Sequence, residues 1–134
     1  MIRQTANQEV IYLNINFDSE VPIYLQLAQS VEDDILNGIF EEETQIPSTT
    51  EISISYKINP ATVGKAYNLL VDEGIIYKKR GVGMFVCMGA KEKLKEKRKN
   101  SFYQNYIVSL IEEAKKLDIS IDEIIKMLER GRNE

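Results

Sequence analysis

Apolar residues recur along this chain with two periods, and each period predicts an element. Over residues 10–17 the side chains of Ile11, Leu13, Ile15 and Phe17 alternate with their neighbours, which predicts a strand. From residue 23 the period lengthens. Ile23, Leu27, Val31 and Ile35 recur every fourth residue, and Leu36 widens the stripe. Pro22 suits a first helical turn and Gly38 a stop, so one helix is expected between them. Residues 39–46 show neither period and are expected to connect irregularly. Ser48 with Glu51 three residues later has the form of a capping box, opening a short helix to about Tyr56 with Ile52 inward. Its β-branched residues form helix poorly, so packing must hold it.

Asn59 can cap the next helix, Pro60 suits its first turn and Gly74 its end. Val63, Ala66, Tyr67 and Leu70 make one buried stripe, and Ala61, Gly64, Lys65 and Asn68 a thin, small or polar opposite face. Two helices joined by so short a turn predict a helix-turn-helix. Beyond Gly74, two short β-type runs flank Arg80-Gly81-Val82-Gly83, which reads as a hairpin with a basic tip.

After Gly89 a charged run over 91–99 leads into an amphipathic segment. Tyr103, Ile107, Leu110, Ala114 and Leu117 step by 4, 3, 4, 3, the spacing of a coiled-coil seam, broadened by Tyr106 and Ile111. Ser120 and Glu123 form a second capping box. Ile121, Ile124, Ile125 and Leu128 then mark a shorter helix that Gly131 is expected to end. The fold class expected is mainly α with a small β wing. A winged helix-turn-helix domain, with its short N-terminal strand, spans 1–88, and a two-helix dimerisation tail spans 89–134.

Composition narrows the function. The chain has 134 residues, 43% hydrophobic and 28% charged, as in a folded domain with an appendage. No apolar run approaches the roughly 20 residues of a membrane span. The first ten residues lack the apolar core of a signal peptide, so a cytoplasmic protein is expected. There is no histidine and one cysteine, Cys87, which reads as a small buried residue with no base to activate it. No enzyme, metal site or cofactor is expected. Net charge is −4, but residues 91–134 carry 11 Lys+Arg against 9 Asp+Glu, and Lys78, Lys79 and Arg80 cluster at the hairpin. A local cluster can grip phosphates whatever the global charge. The acids at 32–34 and 41–44 read as solvated faces.

Residues 21–86 resemble the DNA-binding domain of GntR-type bacterial transcription regulators. The resemblance rests on Pro22-Ile23-Tyr24, on Ile46-Pro47-Ser48, on Thr62-Val63, Ala66-Tyr67, Leu70 and Gly74-Ile75-Ile76 in sequence, and on the wing RGVGMFV. The stretch INPATVGKAY and the short tail resemble the YtrA-type branch. Other branches carry larger effector domains or an aminotransferase-like domain, for which this length is expected to leave no room. The resemblance implies a homodimeric regulator, a repressor, on double-stranded operator DNA. The chain departs from the family at Thr50, commonly arginine, at Pro60 or Gly64, commonly basic, and at Glu41-Glu42-Glu43, commonly containing Pro-Gly.

The candidate DNA contacts follow from a helix lying in the major groove. Ala61 and Gly64 permit close approach, and the Ala61 methyl can meet a thymine methyl. Asn59 or Asn68 can bond a base or phosphate, Thr62 a phosphate, and Lys65 either backbone or guanine. Ser48 and Lys57 suit phosphates, and Thr50 enters by its position in the family pattern. Lys79, Arg80 and Gly81 would enter a minor groove. The bland readings are that Asn59 and Ser48 only cap helices, that the wing tip only aids solubility, and that 91–99 is a solvated helix surface. The tail stripe is either intramolecular core or a dimer face of Tyr103, Tyr106, Ile107, Leu110, Ile111, Ala114, Leu117, Ile121, Ile124, Ile125 and Leu128. A small-molecule effector, if there is one, would bind between tail and heads. The competing function is a winged-helix module that binds protein and assembles through its tail. An RNA-binding role lacks the aromatic platform it would need.

Overall fold

The computed structural model describes residues 14–133. The chain divides between Lys95 and Glu96 into two compact units. The first holds α1 (Ile23–Leu36), β1 (Gln45–Ile46), α2 (Thr49–Tyr56), α3 (Pro60–Asp72), β2 (Ile76–Lys79) and β3 (Gly83–Val86). Helix α4 (Ala90–Phe102) begins in it and runs across the division. A π-helical stretch (Tyr103–Val108), α5 (Ser109–Lys116) and α6 (Ile121–Arg132) complete the second unit.

Each helix end has a local chemical cause. At α2 both bonds of the capping box form: Glu51 N–H donates to Ser48 Oγ at 3.0 Å, and Ser48 N–H to Glu51 Oε1 at 2.7 Å. At α3 the Ala61 N–H donates to Asn59 Oδ1 at 2.8 Å, with Pro60 in the first turn. Helix α3 closes in a Schellman motif, with Gly74 at φ +75, Gly74 N–H on the Val71 carbonyl and Ile75 N–H on the Leu70 carbonyl. The stripe predicted for α3 is buried as a set, and Leu27, Val31, Ile35, Ile46, Ile52 and Val86 join it in one core.

Four expectations are corrected. Residues 39–46 are not wholly irregular, because Gln45 and Ile46 pair antiparallel with Phe85 and Met84. The hairpin is therefore part of a three-stranded sheet ordered β1-β3-β2, and Ile46 is the buried residue that brings the extra strand in. The acids at 32–34 are not a solvated face: Glu32 is 4% and Asp34 6% exposed, while Asp33 lies outside. Helix α1 is covered on more than its apolar stripe, so the polar residues flanking that stripe are enclosed with it. Gly131 does not end the last helix, which continues through Arg132. Of the strand expected at 10–17, residues 14–17 show no strand and the rest lies outside the described residues.

The start of α4 is fastened to the first unit. Ala90 and Leu94 are buried in its core, and Lys91 N–H donates to Glu42 Oε2 at 3.1 Å. The backbone N–H groups of Gly89 and Lys91 hold the Glu42 carboxyl below its usual range. An acid at a helix N-terminus is also favoured by the helix dipole.

In the second unit Ser120 and Glu123 form their capping box. The turn before it closes on Asp118 at φ +57, where Ile119 N–H reaches the Ala114 carbonyl at 2.9 Å. Ala114 and Ile124 are buried within the unit. The π-helical stretch interrupts the even 4, 3, 4, 3 stepping predicted there, because each π turn takes in an extra residue. Among the described residues no helix is long and apolar enough to cross a membrane.

Candidate nucleic-acid interface

Helices α2 and α3 are joined by Lys57-Ile58-Asn59. The turn is possible because Lys57 takes the left-handed region at φ +54, and Ser53 Oγ donates to the Ile58 carbonyl at 2.7 Å. Across the pair, the buried Tyr67 hydroxyl donates to the Pro47 carbonyl at 2.6 Å. Burial, then the nearby Glu51 carboxylate, raises the Tyr67 hydroxyl's pKa, so it stays a donor. These bonds fix the face of α3 relative to the N-terminus of α2.

That face is open. Ala61, Lys65 and Asn68 are exposed, and a Cβ added at Gly64 would meet nothing within 4 Å. The protein's own packing does not demand a glycine there. With Asn59 Oδ1 occupied by the cap, a further contact from this exposed side chain would be a donation from its NH₂. Lys65 does not stand straight out: its ammonium lies 4.1 Å from the centroid of the Tyr24 ring in α1.

The wing follows from two glycines. Val82 N–H donates to the Lys79 carbonyl at 2.9 Å with Gly81 at φ +78, the pattern of a type II turn. Gly83 pairs with Lys79 at φ +146, and a Cβ there would collide with the Gln45 amide, which itself donates to the Val82 carbonyl at 3.0 Å. Lys79, Arg80 and Gly81 are exposed, as is Val82 at 56%. On the outer sheet face Tyr77 and Phe85 stack at 5.7 Å, and the Lys79 ammonium lies 5.1 Å from the Phe85 centroid. Tyr77 donates to Glu43 Oε1 at 3.0 Å, and this bond, with lesser burial, raises the phenol's pKa.

All ten expected contact residues thus belong to the first unit, seven on the α2–α3 pair and three on the wing; eight are exposed, and Ser48 and Thr62 are half-buried. Of the expected tail face, Ala114 and Ile124 are already enclosed, whereas Tyr103, Tyr106, Leu110, Leu117, Ile121, Ile125 and Leu128 stay exposed and Ile107 and Ile111 half-buried. Sequence reasoning missed the Lys65–Tyr24 contact and the Gln45 bond to the Val82 carbonyl, because each joins residues far apart along the chain.

The model for bacterial regulatory proteins of the gntR family matches residues 23–86. The chain is 38% identical over 84 residues to the HTH-type transcriptional repressor YtrA of Bacillus subtilis, covering 63% of this chain and 65% of YtrA. It spans only 30% of the length of two other curated relatives that it matches. A crystal structure from Bacteroides thetaiotaomicron, assigned to the GntR family of transcriptional regulators, is 40% identical with a TM-score of 0.65, covering 83% of this chain and 96% of that one. The DNA-binding domain of AraR, solved in complex with operator ORX1, is 26% identical with a TM-score of 0.52, covering 57% of this chain and 98% of that domain. The helix-turn-helix, the glycine-built wing and these matches converge, and the chain belongs to the GntR family of bacterial regulatory proteins.

Proposed function

We propose that the protein is a sequence-specific, DNA-binding transcriptional regulator, a cytoplasmic repressor that acts as a homodimer on a pseudo-palindromic operator. The observation that carries this reading is the open face of α3 around Gly64, whose only cation, Lys65, leans toward α1, in a unit that also exposes Lys57 and the Arg80 wing tip. A face of small and polar side chains admits base edges, and cations at its margins meet phosphates. Ser48, Thr50, Lys57, Asn59, Ala61, Thr62 and Lys65 would contact the major groove and its walls. Lys79, Arg80 and Gly81 would contact the adjacent minor groove. The operator complex of the AraR domain and the repressor role of YtrA support this assignment.

Residues 1–88 are assigned to DNA and 89–134 to pairing. The exposed side chains of Tyr106, Leu117 and Leu128 on so small a unit support a self-complementary face. Two reading helices about 34 Å apart would then address successive major grooves. The test is selection from random duplex DNA at two salt concentrations, with sedimentation to count protomers. A two-fold symmetric motif bound by a dimer is the expected result. Binding without sequence enrichment that vanishes as salt rises would overturn the reading.

A further inference from the structure

The one cation on the outward half of α3 is drawn to one side. Ala61, Asn68 and Asp72 share the outward face with Lys65, but the Lys65 ammonium reaches across to α1 and lies 4.1 Å from the Tyr24 centroid. Tyr24 is half-buried and packs against the core, so its ring is a fixed platform, whereas Lys65 remains exposed. A lysine over an aromatic face keeps donors free for an anion on its solvent side. With α3 lying in a major groove, a base edge would lie away from α1, so the ammonium would have to leave the ring to meet it, whereas a phosphate on the wall nearest α1 could be met from where it stands.

We propose that Lys65 grips a DNA phosphate rather than a base, and that Tyr24 is the positioning residue that holds it there. This rests on the DNA-binding reading above. It leaves base discrimination on α3 to uncharged groups, the Ala61 methyl, the Asn68 amide and the NH₂ of Asn59. It also makes a residue of α1, an element outside the helix-turn-helix, the support for a backbone contact made from α3.

Two measurements test it. The first needs no DNA: the Lys65 ε-methylene protons should show an upfield ring-current shift that persists in Tyr24→Phe and disappears in Tyr24→Leu. The second is binding to the selected operator and to unrelated duplex across a salt series. Lys65→Ala should lower the magnitude of the log–log salt slope by about 0.9 and weaken both duplexes alike, leaving their ratio unchanged. Tyr24→Phe should bind as the wild type does. Tyr24→Leu should weaken binding about 2- to 5-fold, and should add nothing in the Lys65→Ala background. Loss of discrimination at one base pair in Lys65→Ala, with the slope unchanged, would make Lys65 a base reader and overturn the proposal. Full additivity of the two substitutions would reduce Tyr24 to a packing residue. Wild-type protein that binds no duplex would instead sink the regulator reading itself, and this proposal with it.

Discussion

The hydroxyl of Tyr67, midway along α3, is hydrogen-bonded to the carbonyl of Pro47, the residue before the cap of α2, at 2.6 Å in the buried core. It joins α3 to the start of its partner helix by one bond that water does not reach. Tyr67→Phe keeps the ring and leaves the Pro47 carbonyl without its donor. Such a loss costs about 1–3 kcal/mol, or several degrees of melting temperature in a unit of this size. A melting temperature within a degree of wild type would show that the bond contributes nothing net.

Gly64 separates stability from function. It lies inside α3 with open space where a Cβ would go, so Gly64→Ala should stabilise the fold by about 1 kcal/mol through helix propensity. The same methyl would stand between the helix backbone and DNA. Operator affinity should therefore fall while thermal stability rises. If both rise together, DNA does not approach α3 at this residue.

Arg80 stands at the second position of the wing turn with its side chain in solvent. Arg80→Ala should reduce the salt slope by about one unit if the guanidinium neutralises a phosphate. Arg80→Lys should restore most of the slope. Unchanged slope and affinity in Arg80→Ala would remove the wing from the interface.

Asp34 makes stability pH-dependent. Burial, and secondarily the charge of Asp33, pushes its carboxyl from 3.8 up to about 6. Between those values the folded protein keeps a proton that the unfolded chain has released. The contribution of Asp34 is therefore most favourable below pH 4 and is lost as pH rises through 6. Asp34→Asn should stabilise the protein at pH 7.5 by on the order of 1–2 kcal/mol, and this gap should close by pH 4. Parallel melting profiles for the two proteins from pH 4 to 7.5 would contradict that account.

Tyr106, Leu117 and Leu128 are 59–64% exposed on amphipathic helical segments of the second unit. Leu117→Glu with Leu128→Glu should yield a monomer by sedimentation with helix content intact by circular dichroism. Operator affinity should drop steeply, since the two half-sites would be bound independently. A dimer that survives both charges would place the pairing face elsewhere.

What the sequence made legible was local. The caps at Ser48, Asn59 and Ser120 depend on two or three neighbouring residues, and each forms the bond expected of it. The stripe of Val63, Ala66, Tyr67 and Leu70 is read directly from period. Long-range facts were not legible. Nothing near Gln45 and Ile46 signals a partner forty residues away at Met84 and Phe85. The burial of Glu32 and Asp34 depends on which elements cover α1, not on their own charge. The Tyr24–Lys65 contact likewise joins residues on different helices. Among the candidate contacts, the sequence marked which residues could reach DNA but not that Lys65 has an aromatic neighbour to lean on.

The pairing of β1 with β3 also sets how the wing can behave. Because Gln45 and Ile46 brace the strand that returns from the tip, β3 is held on both edges and β2 lies against it as far as Lys79. Only Arg80, Gly81 and Val82 project beyond the ladder. The wing is thus a short cantilever with a clamped root rather than a free flap. Its three tip residues are already held in a hydrogen-bonded turn, so docking would surrender little conformational entropy. The corollary is geometric: if the wing enters a groove as proposed, a groove displaced by a few ångströms could not be met by bending the arm, and the wing's stiffness would make it a gauge of DNA shape.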